Sequence, residues 1–276
     1  MRLGRAGPGK VRVDPFAAKL ALSFVVGGLW IAGVSVIAER YGSKLGGFIG
    51  GIPSTAMLAM LFIGWTGGPG QVFQATTIFP LAFSINSAFF MIYVLLARKG
   101  VVLGLIGATL TWLLLQSLLL LSGIDSFLLS FGIWVVVLGA AYRFLARGLG
   151  IRSRPSVKVQ YNALQLLWRA LFAGLMIAFA VVMARIGGPI LGGIFSTFPA
   201  NNISTLFITS RAVDVDFSKA IVPPLMISAG INCVAFIAAL RYGSLLLGFL
   251  PAFLLALGVS ALSGFLIYQI LMPKMA

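Results

Sequence analysis

Long apolar runs separated by short polar or glycine-rich breaks are the dominant pattern of this chain. Each run is about 20 residues or longer, which is the length that an α-helix needs to cross a hydrocarbon core of about 30 Å. The pattern predicts an all-α, polytopic integral membrane protein with about nine transmembrane helices. The predicted segments, numbered one to nine, cover residues 17–38, 45–66, 74–97, 101–122, 126–146, 164–184, 190–210, 220–240 and 245–271.

The polar stretches between these segments divide the chain into parts. Residues 1–16 form a basic N-terminal tail, and residues 126–146 form a linker transmembrane helix. The longest polar stretch is the basic loop 147–163. We therefore predict a first membrane repeat over residues 17–122 and a second over residues 164–272, each containing four helices.

Matching motifs indicate that the two halves are related. At a constant offset of 146 residues, Leu45, Gly46, Gly47 and Pro53 recur as Leu191, Gly192, Gly193 and Pro199. At an offset of 143 residues, Pro80, Arg98 and Gly100 recur as Pro223, Arg241 and Gly243. Segments one to four therefore correspond to segments six to nine, and segment five has no counterpart.

An unpaired fifth helix has a consequence for orientation. If every segment spans, the second repeat enters the membrane from the opposite side, which is the inverted arrangement of many secondary transporters. With nine spans and an external N-terminus, 13 of the 20 Lys and Arg residues lie inside, as the positive-inside rule favours. An internal N-terminus with nine spans places only seven inside.

A third arrangement makes segments two and seven re-entrant. The N-terminus is then internal, 14 of the 20 basic residues lie inside, and the repeats are parallel. We favour nine spans and inverted repeats, because segments two and seven are each about 20 residues long and can cross.

The composition agrees with a membrane location. The chain is 60% hydrophobic and 9% charged, whereas soluble domains average about 25% charged residues. Its net charge of +15 comes from basic residues between apolar runs, as anionic lipid headgroups favour. We expect location in the cell (cytoplasmic) membrane and membrane lipids as partners. We expect no nucleic-acid partner, and a homodimer is a candidate assembly.

The sequence offers little catalytic or metal chemistry. It contains no histidine, five acidic residues and the single cysteine Cys233, which excludes an internal disulfide. No Walker A, Gly-x-Ser-x-Gly or His-Glu-x-x-His motif is present. We therefore expect no catalytic residues, no metal and no cofactor, and we do not expect an enzyme.

Polar residues and prolines concentrate in segments two and seven. They are Pro53, Ser54, Thr55, Ser196, Thr197, Pro199, Asn201 and Asn202. Proline removes a backbone donor and frees a carbonyl, which survives in a membrane only where protein or water meets it. An asparagine amide cannot satisfy all its groups on its own helix. The cluster indicates a substrate pathway, with bonding between helices as the alternative.

Glycines accompany these polar residues. They are Gly46, Gly47, Gly50, Gly51, Gly192 and Gly193. Small residues let membrane helices approach closely, so we predict that these positions serve helix packing. An interrupted helix at the same place is compatible with that role.

Isolated polar residues elsewhere have plainer interpretations. Asn86 and Asn232 are expected to bond between helices. Arg143, Arg169 and Arg185 lie near segment ends, where snorkelling explains them, and Glu39 is expected at the interface. The stretch Asp214–Asp216 reads as an ordinary loop.

The second half resembles the small four-helix GlpM-type membrane proteins. The resemblance lies in Leu191-Gly192-Gly193, Phe198-Pro199, Leu206-Phe207, Asp214 and Pro223-Pro224. The first half has the same outline, and this chain departs by being duplicated and by carrying Asn201 and Asn202. The resemblance implies an integral membrane protein and no particular substrate.

Three functions remain open from the sequence. The leading hypothesis is a secondary transporter of a small polar or anionic solute, with its site between the two Gly/Pro-interrupted segments. A channel-like pore would use the same interrupted segments without alternating access. A non-transporting membrane accessory or scaffold subunit of polymer export is the third.

Overall fold

The computed structural model describes residues 14–50, 53–151 and 160–271, and it describes no side chain of residues 38–50 or 271. Every regular element in these ranges is helical. The helices are α1 (Pro15–Gly50), α2 (Ser54–Gly67), α3 (Pro69–Ala75), α4 (Phe79–Leu96), α5 (Val101–Leu121), α6 (Phe127–Arg143), α7 (Ala163–Ile186), α8 (Pro189–Ser196), α9 (Ala200–Ala212), α10 (Val215–Ala220), α11 (Val222–Leu247) and α12 (Phe249–Leu266). Short π-helical turns, Phe144–Gly148 and Ile267–Leu271, extend α6 and α12.

Seven helical stretches in the described ranges are long and apolar enough to cross a membrane. They are Pro15–Ile37, Phe79–Leu96, Val101–Leu121, Phe127–Gly148, Ala163–Ile186, Val215–Leu247 and Phe249–Ile270. Several carry large apolar side chains on the outside, such as Leu114, Leu128 and Val136, which suits contact with lipid. The protein is therefore an all-α, multi-pass membrane protein.

The polar residues Glu39 and Arg40 predicted the end of segment one, but the helix does not end there. The helical backbone of α1 passes Glu39 and Arg40 and continues to Gly50. Polar side chains mark a membrane surface, but they do not break a helix. The next helix starts only after Pro53, whose ring disfavours helical conformation at the preceding residue.

Segment seven is interrupted in the same way. It consists of α8 and α9, with Thr197, Phe198 and Pro199 between them. The backbone angles at the two prolines are similar: φ −74° and ψ 55° at Pro53, and φ −80° and ψ 40° at Pro199. Each proline is the N-cap of the helix that follows, so α2 and α9 begin at corresponding positions.

Helices α1 and α7 cross in opposite directions. At one end, the guanidinium of Arg185 near the end of α7 lies 3.9 Å from the ring centroid of Phe16 near the start of α1. Gly28 in the first half of α1 and Gly174 at the centre of α7 meet. The start of α1 therefore lies beside the end of α7.

Helices α4 and α11 are also antiparallel. Arg241, near the end of α11, donates hydrogen bonds to the hydroxyls of Thr76 and Thr77, just before α4 begins. Near the end of α4, the hydroxyl of Tyr93 lies 2.5 Å from that of Ser218 in α10, which leads into α11. The linker helix α6 packs against both α4 and α11.

The bundle has two ends, which we call upper and lower. At the upper end, Phe16, Thr66 and Arg185 line one pocket, which places the start of α1, the end of α2 and the end of α7 together. At the lower end, Gln165 at the start of α7 and Ile208 in α9 line another pocket.

Basic residues are unequally divided between these ends. Among side chains that the structure describes, seven basic ones belong to the lower half and three to the upper half. The lower ones are Arg98, Lys99, Arg143, Arg147, Arg169, Arg211 and Lys219, and the upper ones are Lys19, Arg185 and Arg241. Residues 152–159 of the predicted basic loop lie outside the described residues.

The end of segment eight differs from the prediction. Arg241 and Gly243 lie inside α11, and the turn into α12 falls at Gly248 with φ +78°. Arg241 is buried and has hydroxyl acceptors inside the protein, so it does not need water at a helix end. Arg98 and Gly100 lie at the turn between α4 and α5, whereas Arg241 and Gly243 lie inside a helix. These sequence matches therefore do not mark equivalent turns.

The stretch Asp214–Asp216 is also more ordered than an ordinary loop. The carboxylate of Asp214 caps α10 by accepting a hydrogen bond of 2.5 Å from the backbone N–H of Phe217. Asp216 forms an ion pair of 2.6 Å with the buried Lys219. These contacts fix the entrance to α11.

Candidate functional site

The first turns of α2 and α9 meet near the middle of the bundle. The 24 residues of α7 measure about 36 Å along the axis, at about 1.5 Å per residue. The 14 residues of α2 reach about 21 Å down from the upper end, and the 13 residues of α9 about 20 Å up from the lower end. Pro53 and Pro199 therefore both lie near mid-depth.

A small cavity lies between these two helix starts. The centre of a water molecule can occupy about 60 Å³ of it, which is room for more than one water. Its walls come from the starts of α2 and α9, the end of α8, and the middles of α4 and α11. The lining residues are Pro53, Ser54, Thr55, Ala56, Phe83, Asn86, Ser196, Thr197, Phe198, Pro199, Asn201, Asn202, Leu225, Ala229 and Cys233.

All eight residues that the sequence assigned to a substrate pathway line this one cavity. Their side chains differ in the hydrogen bonds that they form. The hydroxyls of Ser196 and Thr197 donate to the carbonyls of Gly193 and Ile194, at 2.6 and 2.7 Å. These two side chains therefore satisfy the end of their own helix, as hydroxyls in membrane helices often do.

Thr55 and Asn202 are different. Within the described part of the chain, neither side chain forms a hydrogen bond, and both are only partly buried. The neighbouring Asn201 has its amide oxygen bonded to the guanidinium of Arg169. Thr55 and Asn202 are thus the predicted residues best able to bond with a solute or water.

Asn86 belongs to the cavity as well, although the sequence suggested only a bond between helices. Its side-chain N–H donates to the backbone carbonyl of Thr197 at 3.1 Å, so it does bridge two helices. Its side-chain oxygen is buried and has no partner among the described residues. A buried amide oxygen without a donor is costly, so this atom is an acceptor available to a ligand.

Gln116 in α5 supports the interruption and was not recognised from the sequence. Its side-chain nitrogen donates to the carbonyl of Ala82 at 2.8 Å and to the hydroxyl of Thr197 at 3.2 Å. The available signal was one amide inside an otherwise apolar segment. In hydrocarbon such a group needs a partner, and here the partners are the Ala82 carbonyl of α4 and the Thr197 hydroxyl at the interruption of segment seven.

The position of Arg169 contradicts the prediction that its side chain snorkels to the membrane surface. Its side chain is only 7% exposed and does not extend to a surface. It donates hydrogen bonds to Asn201 and to the hydroxyl of Thr205, the latter at 3.2 Å. Asn232 matches its predicted role, since its oxygen accepts a bond of 2.7 Å from Ser263 in α12.

The glycines of segment seven lie at close helix contacts. A Cβ atom on Gly192 would overlap Ala184 of α7, and one on Gly193 would overlap the backbone carbonyl of Ala75 in α3. Larger side chains there would push α8 away from α3 and α7. The side chains at positions 46, 47, 50 and 51 fall outside the described part, so their packing role stays a prediction.

The cavity presents backbone N–H donors of two helix starts beside the amide oxygen of Asn86, which is unpaired among the described residues. The first backbone N–H groups of α2 and α9 have no carbonyl partner within their own helices, and neither N-cap proline supplies a side-chain acceptor. Two positive helix-dipole ends therefore face the same space, which favours an anionic group or a polar acceptor. The described residues contain no group of three His, Cys, Asp or Glu side chains able to hold a metal ion.

Comparisons of the chain with protein-family models, with curated proteins and with solved structures found no match. The resemblance to GlpM-type proteins therefore rests on the residues quoted for it and stays a prediction.

Proposed function

We propose that this protein is a secondary transporter of a small polar or anionic solute in the cell membrane. Its solute site is the cavity between the starts of α2 and α9. The observation that carries the proposal is the meeting of these two interrupted segments, one from each half, at a polar cavity near mid-depth. Discontinuous helices with their N-terminal ends at a central site are typical of transporters.

The proposal includes nine crossings, two of them discontinuous. Segment two ends at the upper end of the bundle, beside the start of α1. Segment seven follows α7 at the upper end and finishes with α9 beside the start of α7. A re-entrant segment would return to the end it came from, and α8 and α9 do not pack side by side as a re-entrant hairpin would. For segment seven these positions favour a full crossing, whereas the crossing of segment two stays a prediction, because its first residues belong to α1 and only α2 follows.

The proposal also makes the halves inverted repeats. A Cβ on Gly28 would lie 2.9 Å from the carbonyl oxygen of Ala170, and one on Gly174 would meet the carbonyl oxygen of Phe24. At the offset of 146, Gly28 corresponds to Gly174 and Phe24 to Ala170. Such reciprocal contacts are those of a two-fold interface. Because α1 and α7 are antiparallel, the axis lies across the helices, in the membrane plane.

We place the lower end in the cytoplasm. It holds most of the basic side chains that the structure describes, and basic residues accumulate on the cytoplasmic side. The N-terminus is then external, as in the arrangement favoured by the sequence.

The size of the cavity favours a carrier over a pore. The space of about 60 Å³ is small beside a hydrocarbon core that is about 30 Å thick. A channel would require a continuous path, and the cavity occupies only the middle of the bundle. In a carrier, the same space widens alternately toward each side.

The test is saturable transport by the purified chain in vesicles. The probes are lactate, succinate, inorganic phosphate and serine, each offered singly while uptake is measured. We expect at least one to show saturable uptake, and Asn202→Ala to change its KM while leaving the melting temperature in detergent nearly unchanged. The matched control Asn232→Ala removes an amide bonded between α11 and α12, so it should lower the melting temperature and leave KM alone.

Two outcomes would contradict the proposal. Uptake that stays linear with concentration would favour a channel-like pore. No uptake of any probe, together with a stable co-purifying protein, would favour the accessory or scaffold role.

A further inference from the structure

A second and larger space lies on the side of the bundle, between α1, α7 and α9. The centre of a water molecule can occupy about 540 Å³ of this lateral groove. That volume lies within the range of about 300–1,000 Å³ usual for ligand sites. Its lining residues are Phe24, Gln165, Trp168, Arg169, Leu171, Phe172, Leu175, Ser204, Phe207 and Ile208. Seven of these ten are apolar, so the groove suits a hydrocarbon chain.

The groove opens toward the bilayer. Trp168, Leu175 and Phe207 on its walls are 65%, 56% and 40% exposed. Exposed apolar side chains on a membrane helix face lipid, and tryptophan is enriched at the level of the headgroups. An occupant can therefore arrive sideways from the membrane.

A cation without a counter-ion lies at the inner wall of this groove. Among the described residues, Arg169 forms no ion pair with a carboxylate; its acceptors are the neutral oxygens of Asn201 and Thr205. Its Nε–H is buried and makes no hydrogen bond within the described part. A guanidinium has five N–H donors, so three remain for another acceptor, and a buried charge without an opposite charge is costly.

The side-chain oxygens of Gln165 and Ser204, the other polar oxygens of the groove lining, are already engaged. The oxygen of Gln165 accepts a hydrogen bond from the backbone N–H of Asn162 at the start of α7. The hydroxyl of Ser204 donates to the carbonyl oxygens of Ala200 and Asn201, at 3.2 and 3.0 Å. Arg169 is therefore the group that selects the occupant, and it selects for negative charge.

The depth of Arg169 matches a headgroup position. It lies six residues after the first residue of α7, which is about 9 Å along the helix axis from the lower end. Intramembrane charges of this kind mark binding sites or ion pathways. An anionic headgroup held there would leave its acyl chain beside Leu171, Phe172 and Leu175.

We propose that the lateral groove binds an anionic phospholipid from the lower leaflet, with the phosphate on Arg169 and an acyl chain along α7. Guanidinium and phosphate form charge-assisted, often bidentate hydrogen bonds, which supply the missing counter-charge. The phosphate occupies the guanidinium donors that Asn201 and Thr205 leave free. The proposal concerns binding and does not depend on transport.

Trp168 provides the measurement. The full chain is reconstituted in phosphatidylcholine vesicles, and phosphatidylglycerol with brominated acyl chains is added to quench tryptophan fluorescence. Brominated phosphatidylcholine is the reference lipid, and the Trp168→Phe variant gives the signal from the other tryptophans, which is subtracted. We expect phosphatidylglycerol to bind beside Trp168 about tenfold more tightly than phosphatidylcholine, equivalent to about 1.4 kcal/mol.

Two arginine variants on the same helix decide the role of Arg169. Arg169→Gln should reduce the preference to about one. The matched control Arg185→Gln removes a cation at the opposite end of α7 and should keep it. If Arg169→Gln is not monodisperse, Ser204→Phe fills the groove from α9 and should equally weaken quenching by phosphatidylglycerol.

Three results would overturn the proposal. One is equal binding of the two lipids by the unmodified protein. Another is an unchanged preference in Arg169→Gln or, where that variant does not fold, unchanged quenching in Ser204→Phe. The third is complete loss of the preference in excess inorganic phosphate, which would assign the site to a free anion.

Discussion

The crossing of α1 and α7 at Gly28 and Gly174 allows a direct test of the proposed two-fold relation. A Cβ added to Gly174 would overlap the carbonyl oxygen of Phe24. That atom belongs to a helix backbone, so it cannot move aside as the tip of a side chain can. Gly174→Ala and Gly28→Ala should therefore force the two helices apart.

The magnitude follows from two opposing effects. Overpacking a close contact costs about 1–3 kcal/mol, while replacing glycine by alanine in a helix contributes up to about 1 kcal/mol of stability. Gly33 in α1 is the matched control, because nothing lies within 4 Å of a Cβ placed there. Relative to Gly33→Ala, each crossing variant should be about 1–3 kcal/mol less stable, or about 2–12 °C lower in melting temperature.

The assay is thermal unfolding of the purified variants in one detergent, followed by the loss of monodisperse protein. The double variant Gly28→Ala with Gly174→Ala should cost less than the sum of the single variants, because the first substitution has already separated the helices. Melting temperatures for both single variants equal to that of Gly33→Ala would refute the crossing. Strict additivity would refute a shared contact between the two glycines.

Two further predictions concern orientation and the support of the interruption. The orientation is tested with single-cysteine variants that lack the native cysteine, treated on intact cells with a membrane-impermeant thiol reagent. The reagent should label Asp125→Cys in the upper α5–α6 turn and should not label Arg147→Cys at the lower end of α6. The reverse labelling pattern would invert the proposed topology. Gln116→Leu should lower stability by about 1–3 kcal/mol, because it removes two hydrogen bonds, to the carbonyl of Ala82 and the hydroxyl of Thr197, each contributing about 0.5–1.5 kcal/mol. The exposed neighbour Ser117→Ala should stay within about 0.5 kcal/mol of the unmodified protein, and equal effects of the two would contradict the support role.

Length and apolarity correctly predicted seven segments whose helices are long enough to cross, whereas the helices α2, α8 and α9 of predicted segments two and seven are shorter. The start of α7 agrees closely, since the helix begins at Ala163, one residue before the predicted segment, and Asn162 and Gln165 form its capping box. Helix ends inside polar stretches were harder to place. The helix α1 passes Glu39 and Arg40 because no proline or turn sequence stops it there.

The polar cavity was predictable and its supports were not. Proline, hydroxyl and amide residues crowded into two apolar segments are a local signal, and all eight line one space. Gln116 and Arg169 act through contacts 81 and 32 positions away in the chain. A lone amide or arginine in an apolar run shows that a partner is needed, but only the packing of α5 and α7 shows which partner it is.

The proposed repeat also bears on how one site could serve two access states. At the offsets that relate the halves, Asn202 corresponds to Ala56 and Asn86 to Ala229, and all four line the cavity. Each amide would therefore face the proposed axis from a position where the other half has only a methyl group. Alternating access by inverted repeats exchanges the conformations of the two halves, so the amides would change partners between the inward-open and outward-open states. A solute held by both amides would consequently be bound with different affinity on the two sides of the membrane.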